Sequence, residues 1–197
     1  FRQAQIDGVL CFFTTLSLYG LLRHLFAGPG IGWFYVGWFA AGIGVITKGV
    51  GFLPLLLLLP FVVLAARGWP TTAPHRDSRW WLGPVFFLGA IALWFVPMVL
   101  ITSAGGELLA YRHEILFKQT VTRHAGAWHH HEPFWFYLVN VIPVLWLPLT
   151  ALVPWLWPRW RAALRPGSRD TFVAVLLAWV VLVVLFFSLS SGKRGVY

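Results

Sequence analysis

Long apolar runs separated by short polar segments make up most of the chain. A helix that crosses a bilayer needs about 20 mostly apolar residues. Six runs reach or approach that length, at residues 9–26, 31–46, 52–66, 81–101, 133–157 and 171–189. Their apolar residues are continuous rather than alternating, which argues against a membrane β-barrel. The pattern therefore predicts an all-α polytopic membrane protein with about six transmembrane helices.

The second and third runs flank a polar turn, Thr47-Lys48-Gly49. Both runs are short for a span, so we expect them to form a short helical hairpin with Lys48 close to membrane depth. An uncompensated charge at that depth is costly. An anionic partner for Lys48 is therefore expected.

The longest polar segment, residues 102–132, separates the fourth and fifth runs and holds five of the seven histidines. Apolar positions between residues 107 and 122 roughly follow one helical face, which predicts an amphipathic helix along the membrane surface. The histidine run 129–131 invites a metal, but consecutive side chains point in different directions and a metal needs convergent ligands. Neither HExxH nor a paired-cysteine motif is present, so no metal ligands are assigned and a divalent metal is kept as an alternative.

Composition supports the membrane class, because only 11% of residues are charged and 59% are hydrophobic. Soluble domains carry about a quarter charged residues. The net charge of +9 could indicate nucleic acid, but the basic residues lie in short loops between the predicted spans. Membrane topology and anionic lipid headgroups account for them better, so nucleic acid is not an expected partner.

Six spans in series would place the loops alternately on the two faces of the membrane. One face then carries Asp7, Lys48, residues 102–132 and residues 190–197. The opposite face carries Arg23 and residues 67–79 and 159–170. Four arginines share the short segment 159–169, so we assign that opposite face to the cytoplasm.

Several polar side chains on the first face could carry chemistry. Asp7 either stabilises the start of the first helix through the helix dipole or faces a polar cavity, where it positions a substrate or a base. Arg123 and Lys193 either extend to lipid headgroups or clamp a phosphate or diphosphate, to which Tyr197 could add a hydroxyl group. No P-loop, GxGxxG or GxSxG motif occurs, which argues against an ATPase and a serine hydrolase.

Four stretches follow one another along the chain: RQAQIDGVLCFFTTLSLY, GVITKGVGFLPLLLLLP, QTVTRHAGAWHHHEPFWFYL and FFSLSSGKRGVY. Together they resemble the bacterial GT-C glycosyltransferases of the aminoarabinose-transferase and protein O-mannosyltransferase-like type. The resemblance implies a GT-C transmembrane fold in the cell inner membrane, with an active site on the extracytoplasmic side. It also implies a membrane glycosyltransferase that moves a sugar from a polyprenyl-phosphate donor to a lipid, glycan or protein acceptor.

The resemblance also implies roles for single residues. Asp7 matches the family's acidic position at the start of this span. The matches expected at the lipid phosphate or substrate are Arg123, Lys193, Tyr197, Lys48 and His130. Family members carry their main catalytic carboxylate on an earlier extracytoplasmic loop. Because the chain begins with Phe1, we expect residues 1–197 to be an internal piece without that N-terminal catalytic loop or the C-terminal region, and inactive alone.

Two other classes of function remain as alternatives. A transporter or flippase for a lipid-linked or anionic substrate would use Lys48 and Asp7 to line a permeation path. A non-catalytic membrane scaffold would use residues 102–132 as a docking surface. Nearly all charges lie at the ends of predicted spans, with Lys48 as the exception, so the transporter ranks below the enzyme.

Overall fold

The structure is a computed structural model that describes residues 7–28, 30–74, 77–102, 133–137, 139, 142–145, 147, 149–165 and 167–189. Every regular element in these ranges is helical, which confirms the predicted all-α class. Four of the described helices are long and apolar enough to cross a membrane. The amphipathic helix expected before residue 132 lies outside the described residues. The chain divides into two compact units, residues 1–101 and 102–197.

The first unit begins with an antiparallel hairpin of α1 (Asp7–Phe26) and α2 (Ile31–Lys48). Small residues let the two backbones approach closely, as they do in membrane helix pairs. A Cβ atom at Gly20 would lie 2.5 Å from the carbonyl oxygen of Trp33. The buried Ser17 Oγ donates a hydrogen bond across the interface to the carbonyl of Gly37, at 2.8 Å.

The third apolar run begins as a 3₁₀ helix, Val50–Leu57, and continues as α3 (Leu58–Ala66). The structure has the predicted helical hairpin around Thr47-Lys48-Gly49, but the expectation of short arms is wrong. The second arm also starts in a tighter helix than expected. A 3₁₀ helix rises about 2.0 Å per residue and an α-helix about 1.5 Å, so this arm extends roughly 30 Å. The 3₁₀ stretch thus gives a 17-residue segment, Val50–Ala66, about the length of the hydrocarbon core.

A 3₁₀ turn, Ser78–Trp81, leads into α4 (Leu82–Thr102), which begins and ends within one residue of the predicted fourth run. The ring of Tyr35 stacks on Phe86 with centroids 4.6 Å apart. A Cβ atom at Gly42 would lie 2.6 Å from the carbonyl oxygen of Phe87. Helix α4 therefore packs directly on α2.

The second unit contains α5 (Ile142–Leu145), α6 (Leu149–Ala163) and α7 (Thr171–Leu189). The predicted sixth run and α7 have the same bounds. The predicted end of the fifth run at residue 157 is wrong, because α6 continues through Pro158 to Ala163. With 15 residues, α6 is roughly 22 Å long and shorter than a span. The turn at Leu147 separates it from α5.

Candidate functional site

Two of the predicted site residues form an ion pair in the first unit. Lys48 Nζ donates a hydrogen bond to Asp7 Oδ1. Asp7 is the first residue of α1, and Lys48 is the last residue of α2. The anionic partner expected for Lys48 is therefore Asp7, which lies 41 positions earlier in the chain.

The helical hairpin brings these two residues together because its arms are nearly equal in length. Helix α1 has 20 residues and α2 has 18, so they extend roughly 30 Å and 27 Å from the turn that joins them. The helix dipoles favour the same arrangement, since a carboxylate is stabilised in a first turn and a cation in a last turn. The helix-end role considered for Asp7 and its role in a polar site are therefore compatible.

Three glycines, at positions 44, 49 and 51, lie close to Lys48 on the two sides of the turn. Gly49 adopts φ +61° at the end of α2, and its N–H donates to the carbonyl of Val45 at 2.7 Å. A positive φ is readily adopted by glycine. A Cβ atom at Gly51 would lie 2.5 Å from Gly44 Cα, so the backbones of the two helices are in direct contact at these glycines. The sequence reasoning did not single out Gly44 and Gly51, although glycines on both sides of a polar turn were a signal.

The ion pair is open to the surroundings, with 31% of the Lys48 side chain and 38% of the Asp7 side chain exposed. Asp7 Oδ2 accepts no hydrogen bond from any described residue. A lysine ammonium has three N–H donors and a carboxylate accepts hydrogen bonds. Both charged groups are therefore partly accessible, and groups of these kinds interact with an anionic oxygen and with a hydroxyl group respectively.

The remaining predicted site residues fall outside the described part of the chain: Arg123, His130, Lys193 and Tyr197. Among the described residues, no group of three or more His, Cys, Asp or Glu side chains could hold a metal ion. The histidine run at 129–131 lies outside those residues as well.

A cavity of about 550 Å³ lies in the first unit, toward the other end of α2. Its walls are mainly aromatic and apolar, and comprise Phe34, Trp38, Leu58, Asp77, Ser78, Trp80, Trp81 and Pro84. Trp38 is separated from Lys48 by roughly 15 Å along α2. The cavity includes neither member of the ion pair, so the candidate site is placed at Asp7 and Lys48, where the charged groups are.

Asp77, beside the cavity, forms a second ion pair with Arg79 at 2.8 Å. The Arg79 side chain donates hydrogen bonds to Asp77, and with the Arg79 backbone N–H these hold the pKa of Asp77 below its ordinary 3.8. The backbone bond caps the turn before α4. Because the carboxylate of Asp77 is fully used in this way, we interpret the pair as structural.

Comparison with known proteins gives a consistent set of relatives. An undecaprenyl phosphate-alpha-4-amino-4-deoxy-L-arabinose arabinosyl transferase of Pseudomonas aeruginosa PAO1 is 32% identical over 98% of this chain and 34% of its own length. The transferase of the same name from Aeromonas hydrophila is 28% identical, over 92% of this chain and 31% of its own length. A third relative, the arabinosyl transferase 2 of Sodalis glossinidius, is 33% identical over 85% of this chain and 28% of its own length.

The chain thus spans about a third of the length of the curated relatives it matches. No solved structure matches it. The family model described as dolichyl-phosphate-mannose-protein mannosyltransferase matches residues 2–105, which include both members of the ion pair. That match covers more than half of the 197 residues, and so the chain belongs to the dolichyl-phosphate-mannose-protein mannosyltransferase family.

Proposed function

We propose that this chain is part of a membrane glycosyltransferase. The enzyme moves a sugar from a polyprenyl-phosphate carrier to a lipid, glycan or protein acceptor on the extracytoplasmic side of the inner membrane. The observation that carries the proposal is the open Asp7–Lys48 ion pair, which joins the ends of two apolar helices within the region matched by the family model. The names of the relatives, which specify an undecaprenyl-phosphate sugar, support the lipid-linked donor.

The proposed reaction is a direct displacement at the anomeric carbon of the sugar. The acceptor oxygen forms a bond to that carbon, while the bond from the carbon to the carrier phosphate breaks and its electron pair leaves with the phosphate. The hydroxyl proton of the acceptor passes to a carboxylate base, which we place on an earlier extracytoplasmic loop of the whole enzyme. Donors aimed at the leaving phosphate stabilise the negative charge that develops there.

Within the chain, we assign that stabilisation to Lys48 and to three residues outside the described part, Arg123, Lys193 and Tyr197. Asp7 has a positioning role, because its contact with Lys48 fixes the ammonium group and leaves Oδ2 for a substrate hydroxyl. His130 acts as a single hydrogen-bonding group. The lipid-linked donor takes the place of a cofactor in this scheme, and a divalent metal stays an alternative.

Replacement of Arg123 by alanine in the full-length enzyme tests the proposal. Loss of one preorganised charged donor typically lowers kcat by about 100-fold or more, whereas expression and membrane insertion should remain unchanged. Arg23→Ala is the matched control, because Arg23 is an exposed arginine at the far end of α1. Unchanged transfer by the Arg123 variant would exclude the assigned role.

The transporter alternative predicts a different product. Full-length protein in sealed vesicles should convert a labelled polyprenyl-phosphate sugar into a glycosylated acceptor and free polyprenyl phosphate. If the labelled donor instead crossed the bilayer intact and no sugar was transferred, the glycosyltransferase proposal would be overturned in favour of a flippase.

A further inference from the structure

The junction of α6 and α7 carries the most basic surface in the described part of the second unit. Four exposed arginines line it: Arg159, Arg161, Arg165 and Arg169. We call residues 159–169 the arginine turn. None of these four side chains forms an ion pair with a described residue. Among the described residues of this unit the one carboxylate is that of Asp170, which caps α7 by accepting a hydrogen bond from the Val173 N–H at 3.1 Å.

Helix α7 fixes the depth of the arginine turn in the membrane. It has 19 residues with a mean hydropathy of 3.0, and it starts at Thr171, directly after the turn. The headgroup layer on each side of a bilayer is roughly 5–7 Å thick. Of the four arginines, Arg159 lies furthest into α6, roughly 6 Å before the end of that helix. All four guanidinium groups are therefore within reach of the headgroup phosphates.

The arginine turn is also ordered by its own contacts. The guanidinium of Arg159 stacks over the ring of Trp155 with 4.6 Å between its central carbon and the ring centroid. Backbone hydrogen bonds close the turn, from the N–H of Arg169 to the carbonyl of Arg165 at 3.1 Å and from the N–H of Asp170 to that of Ala163 at 3.0 Å. A stacked, planar guanidinium keeps the N–H groups at its edge for a ligand. Less side-chain freedom is then lost when an anion binds.

We propose that the arginine turn is a binding surface for anionic phospholipid headgroups, in the leaflet that contains the start of α7. Charge complementarity selects this ligand, because four guanidinium groups lie at the level of the headgroup phosphates. The carboxylate of Asp170 does not pair with them and instead accepts a hydrogen bond from the backbone of α7. Arginine suits phosphate because its N–H groups match two oxygens at once. The surface is distinct from the Asp7–Lys48 site and would anchor the second unit to acidic lipids whatever sugar the enzyme transfers.

Native mass spectrometry of the intact protein in a non-ionic detergent tests this proposal. The protein is titrated with phosphatidylglycerol and, separately, with phosphatidylcholine of the same acyl chains. Each basic residue near a lipid surface contributes about fivefold to the affinity for anionic lipid, so the wild-type protein should prefer phosphatidylglycerol by about tenfold or more. Raising the salt from about 50 mM to about 500 mM should weaken that preference.

The decisive variant replaces all four arginines by glutamine. It should lose most of the preference for phosphatidylglycerol. Its thermal unfolding should change little, because the replaced side chains are exposed and only that of Arg159 stacks on a ring. Lysine at the same four positions is the matched control and should retain most of the preference, since charge is kept. The double variant R165Q/R169Q should have an intermediate preference and provides the same test if the fourfold variant is unstable. Wild-type selectivity in the glutamine variants would overturn the proposal.

Discussion

Replacement of Gly51 by alanine should disrupt the hairpin that positions Lys48. The new Cβ atom would lie 2.5 Å from Gly44 Cα and would also overlap the Gly44 carbonyl carbon and the Val45 nitrogen. Ordinary van der Waals contact begins at 3.4 Å, so the two backbones must separate by at least 0.9 Å. Backbone atoms cannot move aside by a change of rotamer. The arms of the hairpin must therefore open near Lys48.

The expected effect on stability follows from this overlap. Overpacking in a tightly packed region costs about 1–3 kcal/mol. Alanine instead of glycine in a helix returns about 0.5–1 kcal/mol. Because the overlap at Gly51 is with backbone, we expect a net loss of about 2 kcal/mol. A displacement of about 1 Å in a catalytic group can also lower the rate by about 100-fold. The rate of sugar transfer by the full-length enzyme should therefore fall even under conditions in which most of the variant is still folded.

Two other glycines supply graded controls for the Gly51 variant. A Cβ atom at Gly44 would lie 3.0 Å from Gly51 Cα, a shortfall of 0.4 Å, and one at Gly89 would have no atom of the described structure within 4 Å. Thermal unfolding and transfer by the three full-length variants should therefore rank Gly89→Ala highest, Gly44→Ala next and Gly51→Ala lowest. Equal unfolding midpoints for Gly51→Ala and Gly89→Ala would refute the reasoning.

Two further predictions concern other contacts of the first unit. Gly20→Ala should lower the thermal stability of the protein by about 1–3 kcal/mol, because its Cβ atom would lie 2.5 Å from a carbonyl oxygen of α2; unfolding in detergent measures this loss. The pKa of Asp77 is depressed by Arg79, so the stabilising contribution of Asp77 is present above its ordinary pKa of 3.8 and is lost as the pH falls below that value. Asp77→Asn should therefore lower the unfolding midpoint at neutral pH, and the difference from wild type should shrink as the pH falls through 3.8.

Helix α7 illustrates what the hydrophobic pattern could predict. Its apolar run has no proline, glycine or charge between Thr171 and Leu189. Asp170, directly before it, is a typical helix-capping residue and does cap the helix. Local sequence and tertiary structure therefore favour the same start for this helix, at Thr171, as predicted.

Other boundaries depend on contacts that the pattern does not contain. The 3₁₀ start of the third run accompanies the close packing of Gly51 on Gly44, which is a tertiary contact. In the fifth run, prolines at 143, 148 and 154 interrupt the apolar pattern, and only the second of them directly precedes a helix start. The observed helix begins at Leu149 and passes through two prolines to Ala163. A hydropathy pattern cannot distinguish one bent span from two shorter helices.

The candidate site was only partly predictable for a related reason. Alternation of loops across the membrane placed Asp7 and Lys48 on one face, but it did not determine that they touch. Their contact depends on the nearly equal lengths of α1 and α2 and on the close approach of those helices at Gly20 and Gly37. The helix lengths depend on where each helix begins and ends, and helix ends are the least reliable part of a prediction from sequence.

The Asp7–Lys48 ion pair could serve stability alone, and a double substitution distinguishes that role from a role in transfer. Loss of either partner alone would leave an uncompensated charge at the end of an apolar helix, so it would disturb the hairpin and would not separate the two roles. The pair is partly exposed, and exposed ion pairs typically contribute only about 0–1 kcal/mol to stability. The double variant Asp7→Leu, Lys48→Met removes both charges together. If the pair serves transfer, the full-length variant should unfold close to the wild-type midpoint and yet transfer no sugar; wild-type transfer rates would show that the pair is structural.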